Sequence, residues 1–307
     1  MLHYGLSFFF VTGVEFGYTI LIEFIGEKTF NVRGLELAAK EWGRPGSKPV
    51  IALHGWLDNA ASFDLLLPYM SDIHLIAVDS AGHGHSAFRS RDAGYELWHE
   101  IGEVVEIADQ MGWKDFALFG HSRGAVIAGL VAGTFPQRIN HLVMIDAHMP
   151  MPILAHNSAK QIAKSIRDDK RFAATSPSYF NSFGDAVNAR ANGFLSLERD
   201  AAEILALRGV RECERGFYWH NDQRLKSAAS VKFTREHIIS FLTAIIAPAL
   251  LIYAQNSLFT QNSEHTQLSS MMRCHTIVTL PGTHHLHMES QSSEVASVIQ
   301  KFLISSS

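Results

Sequence analysis

Cysteine is scarce in this 307-residue chain: Cys213 and Cys274 are the two it has, far apart and in no CxxC pair. Thiolate zinc sites and dithiol redox motifs of the usual spacing are not supported. Free thiols in a reducing cytoplasm are a simpler reading than one long-range disulfide. Basic charge is not in excess either. Lys and Arg number 26 against 30 for Asp and Glu, a net charge of -4, so the electrostatic footprint of a nucleic-acid binder is missing. No run of like charges marks an interaction tail, and no internal repeat or low-complexity tract occurs. A clean long hydrophobic run is lacking too. Residues 6–26 are apolar, but Glu15 and Glu23 interrupt them, and each is costly at membrane depth. No Lys or Arg precedes the stretch and no A-x-A site follows it, which argues against a secretory signal. Residues 1–25 are therefore expected to be a strand-forming extension, with no membrane span and a cytoplasmic location.

What is present is alternation. Short apolar runs of strand length at 49–54, 73–79, 115–120 and 139–145 alternate with helical patterns, the signature of βαβ units and a mostly parallel sheet. Over 95–112, Leu97, Ile101, Val104, Val105, Ala108 and Met111 fall at helical spacing, with Gly112 as a stop. A second helix is expected over 123–134, ending near Pro136. The rhythm breaks between about 148 and 235, where the pattern is helical and more charged, as in 197–208. Strands resume at 247–254 and 275–281, and a last amphipathic helix covers about 292–303. These patterns predict an α/β core (1–147 and 236–307) interrupted by a helical cap at 148–235.

Gly120-His121-Ser122-Arg123-Gly124 follows a strand and opens a helix, the context in which G-x-S-x-G carries meaning. Small residues at both ends let strand and helix approach, and the serine oxygen then stands clear of the sheet. A serine hydroxyl needs an adjacent base, and the base is expected after the last strand. There the chain reads Pro-Gly-Thr-His-His-Leu-His-Met-Glu over 281–289. His284 stands first in that loop, while His285 and His287 suit lid contacts or the following turn. A metal site is the rival reading, but the run lacks the usual ligand spacing and a carboxylate or thiolate companion, so none is expected. No Asp follows the strand 247–254, and Glu264 is the nearest acid. Asp146, at the end of the strand 139–145, preserves the order Ser…Asp…His and can orient the imidazole. The alternative is that it only caps a loop. Main-chain N–H groups of Trp56, in the turn His54-Gly55-Trp56, and of Arg123 are the expected oxyanion donors. His54, His121, Arg123 and His285 are candidates for substrate contact.

In order and spacing, HGW at 54–56, DSAGHGHS at 79–86, GHSRG at 120–124 and PGTHHLHME at 281–289 resemble the α/β-hydrolase family from about residue 28 onward. HGWLDNAASFDLLLP (54–68), HNDQRLK (220–226) and PGTHHLHM resemble, more narrowly, the serine hydrolase-like proteins. The resemblance implies the α/β-hydrolase fold with an inserted cap and hydrolase activity on an unsettled substrate. The chain departs from the family at the missing aspartate after 247–254 and at Arg123, where an apolar residue is common. The expected activity is hydrolysis of a small or medium carboxylic ester through an acyl-enzyme, with no cofactor. The alternatives are cleavage of a carbon–carbon bond in a diketone by the same triad, or an inactive hydrolase-fold binding protein.

Overall fold

The computed structural model describes residues 21–257 and 263–305. Most of the expected N-terminal extension, residues 1–20, lies outside the described residues. The chain first forms an antiparallel hairpin, β1 (Phe24–Val32) and β2 (Leu35–Gly43). Its two-residue turn, Arg33-Gly34, has positive φ at both positions, as a tight hairpin matching the strand twist requires. Then come β3 (Lys48–Leu53), β4 (Ile73–Val78), α1 (Leu97–Gln110), β5 (Phe116–His121), α2 (Arg123–Thr134) and β6 (Ile139–Ile145). After β6 the chain leaves the sheet for α3 (Ser158–Ala173), α4 (Phe183–Ala191), α5 (Arg199–Gly209), the strands β7 (Val210–Cys213) and β8 (Gly216–Trp219), and α6 (Arg235–Ala244). It returns through β9 (Ala249–Ala254), α7 (Ser263–Ser269), β10 (His275–Leu280) and α8 (Ser292–Ser305).

Eight strands form one sheet in the order β1-β2-β4-β3-β5-β6-β9-β10, parallel from β4 to β10. β2 pairs antiparallel with β4 at one side. The central strands read as apolar runs because both faces are covered. Alternation decides which face each residue meets. In β5, Phe116 and Leu118 enter the core with α1 and α2, whereas Ala117 and Phe119 enter the core with α8. β9 divides likewise: Ala249, Leu251 and Tyr253 face one way, and Leu250, Ile252 and Ala254 the other. Taking each larger apolar side chain out of water contributes roughly 1.5–3 kcal/mol. α2 is buried from Gly124 through Ala132, which explains why its sequence is apolar all round.

The stretch between β6 and β9 has a small core of its own. Ala186, Val187, Ala202, Leu205 and Val210 pack together, and Met288, from the loop after β10, is buried among them. The antiparallel β7–β8 hairpin was not legible in the sequence. Its four-residue strands are too short for an alternation signal and stay half-exposed. β1 and β2 were also missed: charged residues on their outer faces break the apolar runs that mark the central strands.

Candidate active site

Ser122 sits between β5 and α2 with φ 52° and ψ -116°, a conformation costly for a residue with a side chain. Close packing holds it there. A Cβ at Gly124 would lie 2.0 Å from the Leu53 carbonyl oxygen, and one at Gly120 would lie 2.5 Å from the Ala125 main chain. The strand and helix approach as far as they do because neither residue has a side chain. The Ser122 N–H donates to the Ile145 carbonyl of β6 at 2.9 Å, which ties the turn to the neighbouring strand.

That strand ends in Asp146, fully buried and also at positive φ. β6 lies between β5 and β9, so its carboxyl end opens beside Ser122. Asp146 Oδ1 accepts from the Ala254 N–H, and Oδ2 from the Ser257 hydroxyl, both at 2.9 Å. Oδ2 also lies 2.7 Å from His284 Nδ1. Three donors from two loops thus fix the carboxylate, and it in turn fixes the imidazole. Glu264 lies on α7, 3.7 Å from Arg235 on α6.

The loop after β3 approaches from the other side. Trp56 donates its indole N–H to the Leu225 carbonyl at 2.9 Å. The main-chain N–H groups of Trp56 and Arg123 find no main-chain acceptor among the described residues; for Arg123 this is expected because it opens α2. His54 lies beneath this loop, with Nδ1 2.7 Å from the Gly55 carbonyl and Nε2 accepting the Ser80 N–H at 3.0 Å. Its ring is buried and both nitrogens are committed. His83 accepts the Leu57 N–H and also touches the Ala81 carbonyl; burial holds its pKa well below the ordinary value.

Arg123 turns its guanidinium onto Glu100, making two hydrogen bonds, and the Ser80 hydroxyl donates to the same carboxylate at 3.1 Å. Burial would raise the Glu100 pKa, but the charge and hydrogen bonds of Arg123, with help from Arg89 and Ser80, together lower it. His121 is buried behind Ser122, with Nε2 2.8 Å from the His284 carbonyl. His285 Nε2 accepts from Arg190 at 3.0 Å. His287 faces the Ser62 hydroxyl at 3.0 Å, and burial pushes it down to about 3. Of the four substrate-contact candidates, His54, His121 and His285 are thus buried in the framework, and Arg123 is engaged with Glu100. His121, His284 and His285 bring ring nitrogens within 4.8 Å of one another, close enough to offer ligands to a cation. In this fold those rings already serve Asp146, the His284 carbonyl and Arg190.

Three participants were not foreseen. Ser257 fell in a loop read only for its lack of an acid. Asp58 lay inside the HGWLDN stretch without a role. Arg190 is one of several arginines in a charged segment, and nothing in its local sequence distinguishes it.

A strained serine at a strand-to-helix turn, beside a buried carboxylate–imidazole pair at the carboxyl edge of a parallel sheet, defines a class. The chain matches the α/β hydrolase fold family over residues 48–291 and belongs to it. Its relatives include human serine hydrolase-like protein 2, 30% identical over 286 residues that span 87% of this chain and 90% of that protein. A serine hydrolase-like protein of Danio rerio is 27% identical over 280 residues, 87% of this chain and 85% of the other. Among solved structures, a hypothetical protein of Pseudomonas aeruginosa PAO1 superposes with a TM-score of 0.88 at 34% identity, covering 91% of this chain and all of that one. No helix among the described residues is long and apolar enough to cross a membrane.

Proposed function

We propose that this hydrolase-family chain cleaves small or medium carboxylic esters through an acyl-enzyme on Ser122. The observation that carries the reading is the 2.7 Å contact between Asp146 Oδ2 and His284 Nδ1 at the edge of the sheet where the turn holds Ser122 half-buried. His284 takes the Ser122 proton as the oxygen attacks the ester carbonyl, then passes it to the departing alcohol. Asp146 holds the tautomer in which Nε2 carries the accepting lone pair and stabilises the imidazolium. The Trp56 and Arg123 N–H groups receive the oxyanion. Water then repeats the sequence on the acyl-enzyme and releases the acid.

In this reading residues 148–235 act as a cap. Support comes from contacts between that segment and the loops at the carboxyl ends of the strands: Asn59 to Leu205, Arg208 to Asp79, and Asp222 to Gly82. Such caps exclude water and shape specificity. We assign His54, His121 and His285 to the framework rather than to substrate. A fluorophosphonate probe tests the proposal directly. It should label the wild type at Ser122 and leave Ser122→Ala unlabelled. Equal labelling of both, or no labelling of the wild type, would refute it, and the second result would favour a binding protein.

A further inference from the structure

A buried ion pair joins three segments that are far apart in sequence. Arg190, on α4, directs Nη2 to Asp58 Oδ1 at 2.8 Å and to His285 Nε2 at 3.0 Å. Its Nη1 reaches the Leu195 carbonyl at 3.3 Å. Asp58 is almost fully buried. It lies two residues beyond Trp56, in a turn closed by its own N–H on the Gly55 carbonyl. His285 follows His284 directly. One guanidinium from the inserted segment therefore pins both the loop with the first oxyanion donor and the loop with the proposed base.

The chemistry around Asp58 makes the arginine hard to replace. Burial would raise the Asp58 pKa, yet Arg190, with smaller help from His285 and His121, holds it well below the usual carboxylate range. Two further titratable groups face it closely, His121 Nδ1 at 3.8 Å and His285 Nε2 at 3.7 Å. His121 uses Nε2 on the His284 carbonyl, so its Nδ1 presents a lone pair to the carboxylate. His285 accepts from Arg190 at Nε2, so its proton sits on Nδ1. Arg190 is the cation in direct contact with the carboxylate. If it left, Asp58 would be a buried carboxylate without that partner, a costly state. Met288, buried among α4 and α5 residues, ties the same loop to the same segment.

We propose that Arg190 is a positioning residue, which makes the Ser122 site competent when the inserted segment is seated on the core. This rests on the serine-hydrolase reading above. The test uses the full chain with Arg190→Gln and the double variant Asp58→Asn/Arg190→Gln, which leaves no uncompensated buried carboxylate and keeps the fold accessible. Fluorophosphonate labelling and kcat on a neutral short ester should both fall about 10- to 100-fold in each variant, the scale of a small misplacement of reacting groups. KM should move far less than kcat. Amide hydrogen exchange should quicken in residues 54–59 and 281–289 together. Wild-type rates in the folded double variant would overturn the proposal. So would unchanged exchange in both loops of Arg190→Gln, or a loss confined to KM. Exchange needs no turnover, so a wild type that fails to label would sink the hydrolase reading while the loop measurement still decides the role of Arg190.

Discussion

Replacing Asp146 by Asn tests the proposed triad at its most distinctive member. The contacts around the carboxylate determine how the amide must sit. Oδ1 accepts a main-chain N–H from Ala254, a donor that cannot rotate away. The asparagine oxygen therefore stays on that side, and the NH2 group replaces Oδ2. It then faces Ser257 and His284. The serine hydroxyl can turn and accept. The imidazole can accept at Nδ1 only by moving its proton to Nε2, the nitrogen that in the proposed mechanism receives the Ser122 proton. The fold loses little, since a neutral amide is easier to bury than a carboxylate and two of its three contacts persist. Catalysis loses the correct tautomer and the counter-charge, so kcat should fall by roughly 10²–10⁴, or about 2.7–5.4 kcal/mol of transition-state stabilisation. Steady-state hydrolysis of p-nitrophenyl acetate, beside a thermal melt, measures both quantities. A variant with kcat within about threefold of the parent would refute the assignment, because loss of a working triad member costs far more. A large fall in Tm with a matching loss of activity would give Asp146 a structural role instead.

Ser122→Ala should lower kcat by about 10⁴–10⁶ with an unchanged melt; ester turnover within tenfold of wild type would contradict it. Arg123→Met should destabilise the protein by about 3–5 kcal/mol in chemical denaturation, because it strands the buried Glu100 carboxylate. It should raise KM for acidic and neutral esters alike; a selective effect on acidic esters would instead give its guanidinium a substrate role. Acid should unfold the protein early. Burial pushes His287 and His148 down to about 3, below the ordinary 6.5, so their stability is intact above pH 6.5 and is lost as pH falls toward 3. Each site removes up to about 1.4 kcal/mol per pH unit in that window, and a denaturation free energy flat between pH 6.5 and 4 would refute this.

Legibility in the sequence followed how local the cause was. β3, β4, β5, β6 and β9 were read nearly to the residue because burial on both faces demands an uninterrupted apolar run. The Ser122 turn was legible because its backbone approach requires glycine at 120 and 124. The β1–β2 and β7–β8 hairpins escaped, since solvent on one face lets polar residues interrupt the pattern. Arg190 and Asp58 escaped for a different reason: a buried ion pair across 132 positions leaves no local signal at either end.

The acid lies between these cases. The loop after β9 carries no aspartate, and that absence directed attention to Asp146, one strand closer to Ser122. Elimination could nominate the residue but could not supply its support. That loop still reaches the carboxylate through the Ser257 hydroxyl and the Ala254 N–H. In the proposed mechanism a serine therefore stands in the loop where the family usually keeps its acid, and the acid is received from β6. A carboxylate moved to a new strand works only if donors already converge on it. Ser257→Ala should consequently weaken the site without destroying it. It removes one of the two donors to Oδ2 and leaves the His284 contact, a loss of the order of one hydrogen bond to a charged group, about 1.5–3 kcal/mol. Part of that should appear in kcat and part in stability. An effect on kcat as large as that of Asp146→Asn would mean that Ser257, rather than Asp146, holds the imidazole, and the proposed triad would have to be redrawn.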